Sequence, residues 1–120
     1  MLKSRKHLPT YNDGIAEIYR EKDIKTSFGA KINADSIDDL DLVVCLAYSA
    51  QMIREQDYNF AERHGFAVSL KIKTHLYRGV DAGCRAIVDG LIYDVSHVDR
   101  TQSEMYLYLE GGEPFGAASR

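Results

Sequence analysis

Ser96, His97 and Asp99 lie close together in the stretch DVSHVD, and a hydroxyl, an imidazole and a carboxylate are the parts of a nucleophilic triad. The stretch alternates as a strand does, however, and adjacent strand residues point to opposite faces. Ser96 and His97 are therefore expected to diverge, as the outer and inner faces of one strand. The remaining histidines, His7, His64 and His75, fall in separate segments. None has a second ligand at a helical or strand spacing that would aim both at one metal. The acidic cluster Asp35, Asp38, Asp39 and Asp41 lacks the ligand periodicity of a calcium loop and reads as a solvated or helix-capping face. The chain has no G-x-G-x-x-G, Walker, H-E-x-x-H or G-x-S-x-G motif. The expectation is a protein without catalytic residues, metal or cofactor, and not an enzyme.

A second kind of chemistry is charge recognition. Lys71 and Lys73 alternate onto one face of the segment LKIKT, and Arg78 and Arg85 follow across the next turn. With Tyr106 and Tyr108 on a neighbouring strand, these residues would form the positively charged aromatic platform of a single-strand nucleic-acid binder. The competing reading is a solvated strand face whose long side chains guard against edge pairing. The formal charge of −3 gives no global attraction to nucleic acid, so this role would rest on the local patch alone.

The elements that must position these residues read mainly as strands. IAEIYRE follows a turn at Gly14 and puts Ala16 and Ile18 on one side, Ile15 and Tyr19 on the other. A polar loop over 23–39 is longer than an ordinary connection. LDLVVCLAYSAQMIRE (40–55) carries both periods: Ile37, Leu40, Val44 and Ala47 recur as in a helix behind a Ser36–Asp39 capping pair, while Leu42, Val44, Leu46 and Tyr48 alternate. Its β-branched centre favours a strand over about 41–50. Asp57 can cap a short helix that ends through Arg63, His64 and Gly65. Val68, Leu70 and Ile72 then share a strand face. Asp89-Gly90 suits a type I′ hairpin turn, after which Leu91, Tyr93 and Val95 share a face. In EMYLYLE, Met105, Leu107 and Leu109 lie opposite Tyr106 and Tyr108.

About six short strands, one short helix and regular turns predict a mainly β fold, a small antiparallel β-barrel. The 120 residues, 45% hydrophobic and 28% charged, suit one domain with its own core. Its expected limits are 14–110, between a flexible arm at 1–13 and a flexible tail at 111–120. The two cysteines, Cys45 and Cys84, have no metal spacing and are expected as reduced thiols in the cytoplasm. No signal-peptide pattern or membrane-length apolar run is present, so a soluble protein with no membrane partner is expected.

The order of segments carries a resemblance. GIAEIYRE, a long polar loop, LVVCLAYS, the short helical REQDYNFAERHG, then VSLKIKT, CRAIVDGLIYDVSHVDR and EMYLYLE resemble the head-closure (head–tail connector, or head-completion) proteins of tailed phages and prophages. The resemblance runs from about Gly14 to Glu110 and rests on strand patterns. It implies a six-stranded antiparallel barrel with a short helix and no enzymatic activity. Copies would form a ring below the portal and its adaptor, help retain packaged DNA without sequence-specific recognition, and present a docking surface to the tail. The protein would work in the host cytoplasm during assembly and in the virion neck afterwards. The resemblance also implies a channel-facing or intersubunit loop within about 49–65, including Gln51, Arg54, Glu55 and Gln56. Tail termination is a neighbouring role in the same assembly, and a nucleic-acid-binding barrel is the alternative of a different class.

Overall fold

The computed structural model describes residues 11–21 and 40–114. His7, the loop over 23–39 with Asp35, Asp38 and Asp39, and the Ser36–Asp39 capping pair lie outside the described residues. The described elements are β1 (Gly14–Glu21), β2 (Leu40–Gln51), α1 (Glu55–Arg63), β3 (Leu70–His75), β4 (Arg85–Val88), β5 (Leu91–Arg100) and β6 (Glu104–Pro114). All strand pairs are antiparallel, and the order β1-β2-β3-β6-β5-β4 closes through a β1–β4 pairing into a barrel. The expected fold class is the observed one.

Closure follows from alternation. Ala16 and Ile18 on β1, Ile72 on β3, Ala86 and Val88 on β4, and Met105, Leu107 and Leu109 on β6 are all buried in one interior cluster. Burying each large apolar side chain there contributes about 1.5–3 kcal/mol relative to exposure, which favours curling the sheet until every inward face meets another. Each described strand has two partners, but the pairing is partial: β2 meets β3 only over Tyr48–Gln51 and pairs with β1 alone before that, and β5 meets β4 only over Leu91–Asp94.

The contested segment around 41–50 is a strand, as its β-branched centre suggested, and it spans Leu40–Gln51. Its inner row is Val44, Leu46 and Tyr48. Leu42 departs from that row because the β1–β2 register shifts between Ile18 and Tyr19: Ile18 faces Val44, and Tyr19 faces Leu42. The extra residue, Val43, bulges the strand and turns Leu42 outward, where it is 56% exposed.

Asp89 and Gly90 both have positive φ, 53° and 79°, and join Val88 to Leu91 in the expected two-residue hairpin. The final strand is longer than expected: Gly111, Glu113 and Pro114 pair with Tyr93, Ile92 and Leu91. The ladder therefore continues past Glu110 through a bulge at Gly112. Residues ahead of β1 are tied down too. The Asp13 N–H donates to the Tyr48 carbonyl at 3.0 Å, and its carboxylate accepts from the Ala50 N–H at 2.7 Å.

β3 and β4 are three places apart around the ring, so the chain between them must cross the barrel end. The crossing sinks Val80 into the interior cluster. Arg20 donates from Nη2 to the Gly79 carbonyl at 2.7 Å, and Arg100 donates to the Val80 carbonyl and to Asp81 Oδ1. These bonds satisfy carbonyls that the crossing removes from the ladder.

Candidate functional site

The outer face of β3, β6 and β5 is where the structure gathers most of the residues singled out by type. Lys71 lies opposite Tyr108 and Lys73 opposite Tyr106; His97 and Asp99 on β5 flank the same tyrosines. The expected lysine–tyrosine juxtaposition is present. The Lys71 ammonium lies 5.4 and 5.3 Å from the Tyr106 and Tyr108 ring centres, within cation–π range.

The helix α1 covers the lower part of this face. Ala61, Val68 and Tyr108 form a second, small buried cluster, with Ile53, Phe66 and Tyr106 packed against it. Val68 belongs here and not to the strand row of Leu70 and Ile72, because it precedes β3 and turns under the helix. Phe60 stacks on His64 at 4.1 Å and lies 4.8 Å from the His97 ring.

Asp57 is the pivot of the cover. It was expected as the residue capping the helix; the N-cap is Arg54, and Asp57 is the third helical residue. From there its Oδ2 accepts from the Arg54 N–H at 3.0 Å and from Lys71 Nζ at 3.1 Å, while Oδ1 accepts from the Tyr108 hydroxyl at 3.1 Å. Burial alone would push this carboxyl up. The Arg54 N–H, the Lys71 ammonium and the Tyr108 hydroxyl outweigh it and hold the carboxyl below its ordinary value. Burial, followed by the Asp57 charge and hydrogen bond, pushes the Tyr108 hydroxyl up to about 12.

Above this pivot lies an open cleft of about 300 Å³ lined by Gln51 at the end of β2, by Met52, Arg54, Gln56 and Asp57 in the following connection and the start of α1, and by Lys71, Asp99, Tyr106 and Tyr108 on the barrel wall. Three of the four expected loop residues thus line one cleft, together with one member of the expected basic face. Glu55 is exposed in the first turn of α1 and is not among the lining residues.

The four expected basic residues do not form one face. Arg85 is on β4, diametrically across the ring from β3, and pairs with Glu21 at 2.6 Å and Asp94 at 2.9 Å. Arg78 is exposed on the β3–β4 crossing. Lys71 is paired with Asp57, and Lys73 Nζ is 3.8 Å from Glu104. Proximity in sequence across a turn misled here because the crossing carries the chain to the opposite wall.

Ser96 and His97 are kept apart in function by a different device from the expected alternation. The β5–β6 register shifts between Val95 and His97, so Ser96 is a bulge residue. Its hydroxyl donates to Glu110 Oε1 at 3.0 Å, while His97 packs against Phe60 and Tyr108. Both cysteines are free, Cys45 exposed and Cys84 buried. Among the described residues, no three His, Cys, Asp or Glu side chains are grouped as a metal would need, and no helix is long and apolar enough to cross a membrane.

The buried part of the site is a charge-balanced, fully hydrogen-bonded mount. Its accessible groups are Arg54, Gln56, Met52 and Asp99, which suit recognition by contact. Sequence reading missed Asp57 and Asp99 as parts of one site, since only the barrel closure brings α1 over β5 and β6. A comparison with protein-family models finds no match, and a comparison with curated proteins finds no relative.

Proposed function

We propose that the protein is a non-enzymatic virion component, a ring-forming head-closure subunit at the head–tail junction of a tailed phage. In this reading copies bind below the portal or its adaptor, help retain packaged DNA, and offer the tail a docking surface. The observation that carries the reading is architectural: a closed six-stranded antiparallel barrel with its short helix in the β2–β3 connection, the arrangement implied by the order of segments. The site chemistry supports it, because the cations nearest the tyrosines are committed to carboxylates and leave no free basic platform on β3 for single-strand binding. A fold can host many functions, so the test must read function directly.

The test is electron microscopy of a lysate from the parent phage carrying an early stop codon in this gene. Separate finished tails beside heads that have lost their DNA are the expected result. Normal heads with overlong or defective tails would move the protein to tail termination. Intact infectious particles would overturn the structural reading.

A further inference from the structure

The chain just ahead of β1 is fastened across three strands. Asp13 bonds to β2 twice, through its N–H to the Tyr48 carbonyl and through its carboxylate to the Ala50 N–H. Two residues earlier, the Tyr11 ring lies 4.4 Å from the His75 ring of β3. The Tyr11 hydroxyl donates to Glu104 Oε2 of β6 at 2.6 Å, and Lys73 Nζ lies 6.0 Å from the Tyr11 ring centre. Burial, followed by the Glu104 hydrogen bond and charge, pushes this hydroxyl up to about 12, so it remains a donor across the neutral range. Traced backwards from Gly14, these contacts step over β2, β3 and β6 in their order around the ring. The next strand in that order is β5.

The cleft begins at this point. Lys73 lies opposite Tyr106, and Tyr106 lies opposite Asp99 of β5; Tyr106 and Asp99 both line the cleft. Glu104 and Tyr106 are two residues apart on one strand, a step of about 7 Å. The ten residues before Tyr11 can span up to about 35 Å, several times that step. Pro9 disfavours the helical conformation at Leu8, which favours an extended course that uses this reach.

Composition fits the segment to the cleft. Residues 1–10, MLKSRKHLPT, hold Lys3, Arg5 and Lys6 and no acidic residue. The cleft offers the exposed Asp99, the rings of Tyr106 and Tyr108, whose faces attract cations, and Met52, 76% exposed, as an apolar neighbour for Leu8. Lys71 in the floor is neutralised by Asp57 at 3.1 Å. Arg54 at the other rim opposes a cation, which directs the basic side chains to the Asp99 side.

We propose that residues 1–10 continue over β6 from the Tyr11 anchor and occupy the molecule's own Met52–Asp99–Tyr106 cleft, with a basic side chain on Asp99. The segment is then a strap over the recognition surface, and a partner that uses the cleft must displace it. The inference stands on the anchor and the cleft and is independent of the phage role.

The test is a spin label on Ser4→Cys in the full chain, with the exposed Cys45 replaced by Ser and the buried Cys84 left in place, read by nuclear magnetic resonance of the backbone amides. Selective loss of the Met52, Asp99 and Tyr106 amide signals is expected, at every protein concentration. Asp99→Lys should make that loss about threefold smaller, with an unchanged Tm verifying the fold; Asp99→Asn serves where the reversal does not fold. Loss spread evenly around Tyr11 and Glu104, or loss that Asp99→Lys leaves unchanged, would overturn the docking. Loss that passes from labelled chains to unlabelled ones in a mixture would overturn it too, by assigning the cleft to a neighbour's segment. The lysate experiment bears on none of these outcomes.

Discussion

The two sides of β6 are held by different physics. Inward, Met105, Leu107 and Leu109 are each 0% exposed in a cluster lined by all six strands and held by apolar burial. Outward, Tyr106 and Tyr108 sit under α1 beside Lys71 and Asp57, where burial is partial and three hydrogen bonds to one carboxylate fix the geometry. The interior tolerates any partner of suitable volume. The outer face depends on particular atoms, so its removal should be local and pH-dependent where damage to the interior is global.

The largest effect should come from the interior. Leu107→Ala is expected to cost about 3 kcal/mol through lost transfer energy and a cavity, read as a lower midpoint in urea with both far- and near-ultraviolet signals falling together. Asp57→Ala should cost less, about 2 kcal/mol, because it strands Lys71 and the Tyr108 hydroxyl in a largely covered site. Its signature is also different: proteolysis should cut near α1 before the barrel unfolds. If Asp57→Ala leaves α1 as protected as before, the helix is held by Ala61 and Phe60 alone and the contrast between the two faces disappears.

The pH dependence sharpens the same contrast. Asp57 has a folded-state pKa below its ordinary value of 3.8, so its contribution is fully present above that value and is lost as pH falls through the lower folded one. The stability gap between the unaltered protein and Asp57→Asn should therefore narrow below about pH 4. At the alkaline end the sign reverses. The Tyr108 hydroxyl stays protonated to about 12 in the folded protein, so its contribution is present below its ordinary value of 10.0 and fades as pH rises between the two. Tyrosinate absorbance for Tyr108→Phe against the unaltered chain measures this.

Two smaller effects complete the series. Gly112 has φ +104°, and an added Cβ would stand 2.8 Å from the Tyr93 ring; Gly112→Ala is expected to cost about 1 kcal/mol and to fray the end of β6. Lys73→Ala should change stability by less than about 0.5 kcal/mol, since its 3.8 Å pair with Glu104 is partly exposed and screened. A larger loss there would mean that the outer face carries more of the stability than its geometry suggests.

Alternation makes the interior of β1, β4 and β6 legible in the sequence, because a period of two repeats over several residues and each inward position obeys the same apolar requirement. The hairpin at Asp89-Gly90 is legible for an equally local reason, the positive φ that only a few residues accept. Bulges are not. Val43 and Ser96 carry no special residue type, yet each shifts the register, turning Leu42 outward in one case and bringing Ser96 to Glu110 in the other. The extension of β6 past Glu110 is hidden because two glycines read as the end of a strand, whereas here they shape a bulge within one.

By itself, the sequence determined which residues are inward on most strands, where the one described helix lies, and that the lysines and tyrosines of β3 and β6 share a face. All of these follow from contacts within a few residues or from a period that survives any arrangement of the strands. Only the tertiary structure decided that Arg85 lies across the barrel from Lys71 and that Asp57 reaches Lys71 and Tyr108. Those relations depend on the order in which strands close around the core, and that order is set by the joint burial of all inward faces, which no single segment encodes.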